Sequence, residues 1–234
     1  MRTGFMLSLV RNPRLLLTAA LLAGVVTVAA GADEPAPPPP TQAEAAADVL
    51  LRDGRLPQAP SFFEVVTAIA FLHFAEAGLG MAVLEVGMGG RLDATNVVEP
   101  LLSIVTDISL DHTEWLGSTI AAIAREKAGI LRRNGVLITL PQHPEANQVL
   151  GEVATELDAR GVDARVYMPQ VEVVAGAAYN IEVFGESVTV ESPLIGSHQQ
   201  RNVALAVAAA VELAETHRLK VDAASIAAGI RETC

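Results

Sequence analysis

An apolar run that ends in a carboxylate and leads into a glycine-rich loop is the feature that most constrains this chain. The run Met81–Glu85 has the composition of a buried strand, and Gly87, Gly89 and Gly90 follow within four positions. In an open parallel sheet, ligands bind beyond the carboxyl ends of the strands. A charge at the end of an apolar run needs a partner. We therefore predict that Glu85 lies where a metal ion or a substrate binds.

The spacing of the remaining segments predicts an α/β fold. Alternating strands and helices favour right-handed crossovers and a mainly parallel sheet flanked by helices. In such a sheet the consecutive strands 81–86 and 102–108 could be neighbours. Ser61 and Glu64 have the spacing of a capping box at a helix start. The predicted helices are 42–52, 62–78, 119–128, 145–160, 199–216 and 223–231, and the predicted strands are 81–86, 102–108, 136–140, 165–168, 179–184 and 187–190.

The first forty residues differ in character from the rest. Three arginines precede the apolar run Leu15–Ala30, and the prolines Pro37–Pro40 follow it. A positive start, an apolar middle and a small-residue end are typical of a secretory signal, with an uncleaved anchor and a misassigned start as the alternatives. The proline tract is an extended spacer. We therefore predict a leader-like segment and spacer at 1–40 and the α/β domain at 41–234.

Charge and cysteine content exclude some function classes. The formal net charge is −11, whereas a nucleic-acid-binding protein needs a basic surface. Cys234 is the single cysteine, so neither an intrachain disulfide nor a cysteine-based metal site can form. We expect no nucleic-acid partner, and no stable membrane association after removal of the leader.

Three polar segments lie at or just after predicted strand ends. They carry Glu85, the pair Asp111 and His112, and Lys127. A carboxylate and a neutral imidazole can each bind a divalent ion, and Mg²⁺ prefers oxygen ligands. The alternative interpretations are a surface carboxylate, a structural histidine and a lysine in an ordinary helical ion pair.

Several long motifs resemble folylpolyglutamate synthase, also called dihydrofolate synthase, a branch of the Mur ligase family. The resemblance implies a Mur ligase central domain, with a fold like that of the P-loop NTPases. It also implies an ATP-dependent ligase: ATP phosphorylates a carboxylate of folate or dihydropteroate, and the amine of glutamate attacks the acyl phosphate. The motifs are Pro60–Glu64, Leu84–Asn96, Leu110–Gly117, Ile123–Ile130 and the helix opening Gly196–Asn202.

The resemblance also implies residue roles. Glu85 matches a ligand of a first Mg²⁺, His112 matches a ligand of a second, and Lys127 matches a lysine that becomes a carbamate and binds metal. His112 and Lys127 would thus be catalytic, and Asn202 matches a contact to ATP, the co-substrate. The location implied is cytoplasmic, with export through the leader-like segment as the alternative. The residues that match substrate contacts are Ser61, Phe62, Phe63, Glu64, Leu92, Asp93 and Ala94.

The chain departs from the family in two respects that bear on activity. The phosphate-binding pattern Gly-x-x-x-x-Gly-Lys-Ser/Thr does not occur in the sequence. The leader-like segment lies where the family has this pattern, and we expect the C-terminal domain to be absent. The chain alone is therefore expected to be inactive or nearly so. One alternative is a non-enzymatic remnant or binding protein on the same scaffold. A second alternative is a ligase of peptidoglycan precursors. The pterin-type motifs at Ser61–Glu64 and Leu92–Ala94 argue against this second alternative.

Overall fold

A computed structural model describes residues 6–11, 40–169, 177–194 and 196–233. These residues fall into two compact units. Helices α1 and α2 belong to one, and the described residues from Val83 onward belong to the other. The strands are β1 Met6–Arg11, β2 Met81–Glu85, β3 Ser103–Val105, β4 Val136–Thr139, β5 Arg160–Asp163, β6 Tyr179–Val183 and β7 Glu186–Val190. The helices are α1 Pro40–Arg52, α2 Phe62–Glu76, α3 Thr113–Leu116, α4 Ile120–Ala128, α5 Pro144–Glu156, α6 Ser197–His217 and α7 Ala223–Arg231, with 3₁₀ turns at Ala94–Val97 and Ala164–Tyr167.

The main sheet has five strands in the order β2-β1-β3-β4-β5. Strands β3, β4 and β5 are parallel, while β1 is antiparallel to β3, with Met6 opposite Val105. The predicted α/β class with a parallel sheet flanked by helices is confirmed. The expectation that the strand ending at Glu85 is a neighbour of β3 is wrong, because β1 lies between them. Strand β1 was not predicted, because it lies within the segment 1–40, whose arginines and later apolar run are typical of a leader.

Two clusters of buried aliphatic side chains lie among the described residues of the larger unit. The first packs α4 and α5 against the sheet and includes Val105, Ile123 and Leu150. The second packs the β6–β7 hairpin against α6 and α7 and includes Val190 and Val207. Both cores are built from branched side chains and alanine, since aromatic residues make up 4% of the chain. The first core lies beneath the strand ends from which the candidate site is built.

Side-chain caps explain both the agreement and the disagreement with the predicted elements. The capping box at Ser61 and Glu64 is present at the start of α2. The strand predicted at 165–168 is wrong, because the Asp163 carboxylate accepts a hydrogen bond from the Arg165 amide at 2.9 Å and starts a 3₁₀ turn. The helix predicted at 145–160 ends at Glu156. Strand β3 is shorter than the predicted strand 102–108.

The structure describes only part of the leader-like segment, namely residues 6–11 and residue 40. Its apolar run Leu15–Ala30 lies outside the described residues. Among the residues that the structure does describe, no helix combines the length and the apolar character needed to cross a membrane.

Candidate active site

The loop after β2 is held in shape by a single carboxylate. Asp93 accepts hydrogen bonds from the amides of Gly87 and Met88, both at 3.0 Å. It also accepts from the amide of Thr95 at 2.9 Å and from the Thr95 hydroxyl. The Asp93 side chain, matched to a substrate contact, is therefore engaged in folding its own loop. The exposed side chain of Leu92 beside it is open to solvent, with 80% of its surface accessible.

This glycine loop is fastened to the end of helix α4. The Arg91 guanidinium donates to the Glu126 carboxylate at 3.1 Å, and the Arg91 amide donates to the Glu126 carbonyl at 2.9 Å. The Asn96 side-chain amide donates to the Gly129 carbonyl at 3.0 Å. A Cβ on Gly129 would lie 2.6 Å from the Arg91 Cα, so only glycine permits this approach. The loop after Glu85 is thus fixed against the helix that carries Lys127.

A second arginine reinforces this junction. The Arg132 guanidinium donates to the carbonyls of Asn96 at 2.8 Å and Val98 at 3.0 Å, and also to the carbonyl of Ile130 at 3.3 Å. It lies 3.5 Å from the Glu99 carboxylate. Arg132 therefore joins the segment after the glycine loop to the segment after α4. Sequence reasoning missed this residue, because an arginine shortly after a helix looks like an ordinary C-terminal cation.

Glu85 lies half-buried at the end of β2, directly before the glycine loop. The loop contacts the short helix α3, since a Cβ on Gly89 would lie 2.9 Å from the Leu116 Cδ2. Gly89 has a φ of +71°, which side-chain-bearing residues rarely adopt. Helix α3 begins directly after His112. The segments that carry Glu85 and His112 are therefore in contact, although their strands are not neighbours.

His112 has a left-handed backbone conformation, with φ +48° and ψ +39°. Its backbone amide donates to the Asp111 carboxylate at 2.9 Å, and its imidazole Nε2 lies 3.9 Å from the same carboxylate. The imidazole is 46% exposed. Left-handed residues other than glycine are uncommon and concentrate at binding sites. Four other described residues share this conformation, so at His112 it shows that the chain turns directly before α3.

Lys127 lies half-buried on α4. Burial lowers the pKa of the Lys127 amine, and the negative charge of Asp111 partly opposes this effect. Asp111 is therefore close enough to Lys127 for its charge to act on the amine. Together with the contacts of the glycine loop, this brings the three segments that carry Glu85, His112 and Lys127 into one region of the larger unit.

The donor set can be compared with what a magnesium ion needs. In the ranges that the structure describes, no group of three or more His, Cys, Asp or Glu side chains is arranged to hold a metal. The predicted set has two such residues, Glu85 and His112, and Lys127 as the third. A carbamate on Lys127 would add oxygen ligands, and the lowered pKa of Lys127 favours the neutral amine from which a carbamate forms. Glu85, His112 and a carbamate on Lys127 would together offer the oxygen and nitrogen ligands that Mg²⁺ accepts, and this ligand set stays a prediction.

The opening of α6 meets the carboxyl edge of the sheet. The Arg201 guanidinium binds both oxygens of the Asp107 carboxylate, one at 2.7 Å, and donates to the Pro141 carbonyl at 2.9 Å. Asp107 and Pro141 each lie two residues beyond the ends of β3 and β4. Asn202, half-buried, donates from its side-chain amide to the side-chain Oε1 of Gln199 at 3.1 Å. Asn202 thus lies at the edge of the sheet from which the chain runs to His112.

The segment Ser61–Glu64 belongs to the smaller unit. Glu64 accepts hydrogen bonds from the Ser61 amide at 2.6 Å and from the Ser61 hydroxyl at 2.7 Å. These bonds lower the pKa of Glu64. The two polar side chains are therefore engaged in capping α2. Phe62 and Phe63 project from the first turn, with 85% and 43% of their surfaces accessible.

Comparison with known proteins decides the family. The family model of the Mur ligase middle domain matches residues 49–210. The chain belongs to the Mur ligase family. It is 42% identical over 178 residues to a probable bifunctional folylpolyglutamate synthase/dihydropteroate synthase of Haloferax volcanii, covering 73% of this chain and 21% of that protein. It is 40% identical over 156 residues to a dihydrofolate synthase/folylpolyglutamate synthase of Bacillus subtilis, covering 64% of this chain and 36% of that protein.

Solved structures agree with this Mur ligase assignment. The apo form of L. casei FPGS matches with a TM-score of 0.72 and 30% identity, covering 82% of this chain and 48% of that one. The folylpolyglutamate synthase of Mycobacterium tuberculosis complexed with ADP and AMPPCP matches with a TM-score of 0.71 and 32% identity, covering 83% and 45%. The resemblance to folylpolyglutamate synthase is confirmed. The chain spans about half the length of these structures, and less of the curated relatives.

Proposed function

We propose that this Mur ligase chain is the central, ATP-binding part of an enzyme that adds glutamate to folate or dihydropteroate. The observation that carries the proposal is the half-buried Lys127 of lowered pKa, close to Asp111 and next to the segments of Glu85 and His112. Relatives named for folate ligation support it, as do neighbouring structures described as FPGS complexes with AMPPCP and with folate.

The proposed reaction has two steps. A carboxylate oxygen of the folate substrate attacks the γ-phosphorus of ATP, so that an acyl phosphate forms and ADP leaves. The amine of glutamate then attacks the acyl carbon, the amide bond forms, and phosphate leaves with the bonding electrons. Mg²⁺, when bound by Glu85, His112 and the carbamate of Lys127, would neutralise charge on the phosphate oxygens.

The role of Lys127 follows from its surroundings. Its neutral amine attacks CO₂, a carbamate forms, and one proton is released to solvent. Burial favours this step, because it disfavours the competing ammonium form. The product places a second anion near Asp111, and two like charges in a partly buried site repel each other. A divalent cation relieves that repulsion, so carbamate formation and metal binding are expected to reinforce one another.

The remaining predicted contacts concern the substrates. Asn202 at the start of α6 is proposed to contact the nucleotide. The exposed side chain of Leu92 is proposed to pack against the flat pterin ring, with Asp93 and Ala94 beside it. In the smaller unit, Phe62 and Phe63 offer exposed apolar surface for the same class of ligand, while Ser61 and Glu64 hold the helix start that presents them.

The carbamate can be tested directly, because the chain contains two lysines, Lys127 and Lys220. We expect ¹³C-labelled bicarbonate with Mg²⁺ to give a carbamate carbon signal in the NMR spectrum. Lys127→Met should abolish the signal, and Lys220→Met, an exposed control, should retain it. The N-terminal amine can also form a carbamate, and its signal is identified because it remains in the double variant Lys127→Met/Lys220→Met. Loss of no further signal in Lys127→Met would contradict the proposed role of this residue, and so would the absence of a lysine carbamate signal from the unaltered chain.

The polypeptide of 234 residues by itself is proposed to have little or no ligase turnover, since it contains no phosphate-binding pattern. The assay supplies ATP, Mg²⁺, glutamate and either dihydropteroate or tetrahydrofolate, and follows the glutamylated product. Turnover comparable to that of a folylpolyglutamate synthase would contradict this expectation.

The missing pattern also favours a second candidate, a non-enzymatic protein on the same scaffold that binds nucleotide or folate. Binding of both ligands without phosphorylation of either substrate would identify it.

The location proposed for this activity is the cytoplasm, because the reaction consumes ATP. Sequencing the N-terminus of the protein isolated from its host tests this. An N-terminus upstream of Ala32, or a start further downstream without signal-peptidase processing, agrees with the proposal. Processing directly after Ala32 would instead indicate export and would favour the binding-protein alternative.

A further inference from the structure

An ion pair joins helix α6 to the sheet at the residue next to the proposed nucleotide contact. Arg201 binds both carboxylate oxygens of Asp107 and also the Pro141 carbonyl. Paired planar groups of this kind fix orientation as well as distance. The Arg201 side chain is 27% exposed and the Asp107 side chain 50%. The pair is thus partly screened by water, and its geometry is more informative than its contribution to stability.

The segment around Asp107, to which Arg201 is bound, is itself held by hydrogen bonds. The Gln142 side chain donates to the Thr106 carbonyl at 3.1 Å and accepts from the Ile108 amide at 2.6 Å, so it holds the backbone on both sides of Asp107. The Asn147 side chain in turn accepts from the Gln142 amide at 3.1 Å and donates to its carbonyl at 3.0 Å. The exits of β3 and β4 therefore form one connected network of hydrogen bonds.

The start of α6 needs an anchor of this kind. Its N-cap is Gly196, which has no side chain to cap the helix and has a φ of +126°. A helix start without a side-chain cap is less well fixed than a capped one. Asn202 directly follows Arg201, so a shift of the helix start would displace the Asn202 amide.

We propose that Arg201 is a positioning residue, which holds Asn202 in place against the segment that runs from Asp107 to His112. This inference rests on the proposed function, because it assigns to Asn202 the nucleotide contact. Binding of nucleotide at Asn202 and ordering of the His112 segment are then coupled through one ion pair. A displacement of an ångström in such a contact is enough to weaken binding.

Hydrogen exchange and nucleotide binding together test the proposal. The variants are Arg201→Gln, Asp107→Asn and the charge exchange Asp107→Arg with Arg201→Asp. The matched control is Arg133→Gln, which breaks the exposed pair of Arg133 and Asp158, 3.0 Å apart in the same unit. Exchange is followed in peptides that cover 106–112 and 197–203. Affinity is measured by calorimetry with ADP, in the presence and absence of Mg²⁺.

We expect Arg201→Gln and Asp107→Asn to speed exchange in both peptides and to weaken ADP binding about tenfold, the loss from one misplaced polar contact. The charge exchange should recover part of both effects, and Arg133→Gln should change neither. A purely structural anchor would lower the thermal midpoint while leaving the affinity for ADP unchanged, which would overturn the proposal.

The two hypotheses can fail separately. Unchanged exchange in 106–112 and 197–203 of Arg201→Gln overturns the positioning role whether or not nucleotide binds. Absence of ADP binding by the unaltered chain contradicts the proposed function and, with it, the nucleotide contact that Arg201 is proposed to position. Weakened binding in an Asn202→Ala variant, together with unchanged binding in Arg201→Gln, supports the proposed function and overturns the positioning role alone.

Discussion

Lys127 shows how a single residue can be unfavourable for the fold and useful for chemistry. An ammonium group loses hydration when it is partly buried, and this loss is the larger influence on the pKa of Lys127, ahead of the attraction by Asp111. The same loss favours the neutral amine, which is the form that reacts with CO₂.

The compromise at Lys127 predicts the sign of a stability change. The folded-state pKa lies below the unfolded value of 10.5, so the folded state binds the proton more weakly. The resulting penalty is fully present below the folded pKa and disappears as the pH rises through 10.5. In CO₂-free buffer, Lys127→Met should therefore raise the free energy of unfolding by about 1 kcal/mol at pH 7. The gain should shrink toward zero near pH 11.

Urea unfolding at both pH values measures this effect. Lys220→Met is the control, because Lys220 is exposed. The expectation fails if Lys127→Met is less stable than the unaltered chain at pH 7, since the interactions of the lysine would then outweigh the cost of its burial.

Elements of the fold differ in how far the sequence predicts them. Helix α7 was predicted at its observed bounds, and the capping box of α2 was predicted from Ser61 and Glu64, because caps and periodicity are local signals. The position of β1 between β2 and β3 was not predicted, because strand order depends on pairing between distant segments. The pair Arg201 and Asp107 is 94 residues apart in sequence and has no local signal either.

In the candidate site, too, local features could be predicted from the sequence and contacts between distant segments could not. A carboxylate at a strand end and a lysine on a helix could be placed from the sequence, as Glu85 and Lys127 were. The contacts that bring their segments together could not, since the pair Arg91 and Glu126 spans 35 residues and depends on the turn geometry of the loop. Among the predicted substrate contacts, Asp93 also organises the loop, a role that only its four hydrogen bonds reveal.

The junction between the glycine loop and α4 predicts a contrast between two glycines. A Cβ on Gly129 would lie 2.4 Å from the Arg91 Cβ and 2.6 Å from its Cα, so the loop must move. Gly129→Ala should lower the free energy of unfolding by about 1–3 kcal/mol, the usual cost of overpacking. On α5, a Cβ on Gly151 meets nothing within 4 Å, and Gly151→Ala should raise it by about 0.5–1 kcal/mol.

Chemical denaturation of the two alanine variants measures the contrast. The same variants should differ in the carbamate signal of Lys127, which Gly129→Ala should weaken and Gly151→Ala should not. If Gly129→Ala is as stable as the unaltered chain, the loop is not fastened to α4 in the way that the contacts indicate.

At the scale of the whole molecule, acidic groups dominate. The formal net charge is −11 at pH 7, and the sequence pI is about 4.9. Carboxylates with lowered pKa values are distributed over several elements, at Glu64, Asp163, Glu212 and Asp222. Burial raises the pKa of Glu212, but hydrogen bonds from Arg160 and Thr216 outweigh it. Acidification therefore has two opposite effects on the free energy of unfolding: it reduces repulsion between negative charges, and it removes the stabilising contacts of these carboxylates.

This opposition predicts a maximum of stability near pH 5. Acidification from pH 8 to pH 5 reduces the net negative charge and its self-repulsion, so the free energy of unfolding should rise. The four carboxylates have folded pKa values below the unfolded values of 3.8–4.5, so their stabilisation is present above that range and lost as the pH falls through the folded pKa values. Below pH 4.5 the free energy of unfolding should therefore fall.

Urea midpoints at pH 8, 7, 6, 5, 4 and 3 in low salt locate the maximum, and 0.5 M salt should flatten the limb above pH 5 because it screens exposed charges. Glu212→Gln should cost about 1 kcal/mol at pH 7, through weaker bonds to Arg160 and Thr216, and should reduce the loss below pH 4.5. The exposed Glu182→Gln is its control. A steady decline from pH 8 to pH 5 would show that the charge of the chain is too dispersed for self-repulsion to govern its stability. Suppose instead that Glu212→Gln leaves the fall in stability below pH 4.5 unchanged. The contacts at the capped helix ends and at Asp163, rather than the buried carboxylate of Glu212, would then account for the stability that is lost in acid.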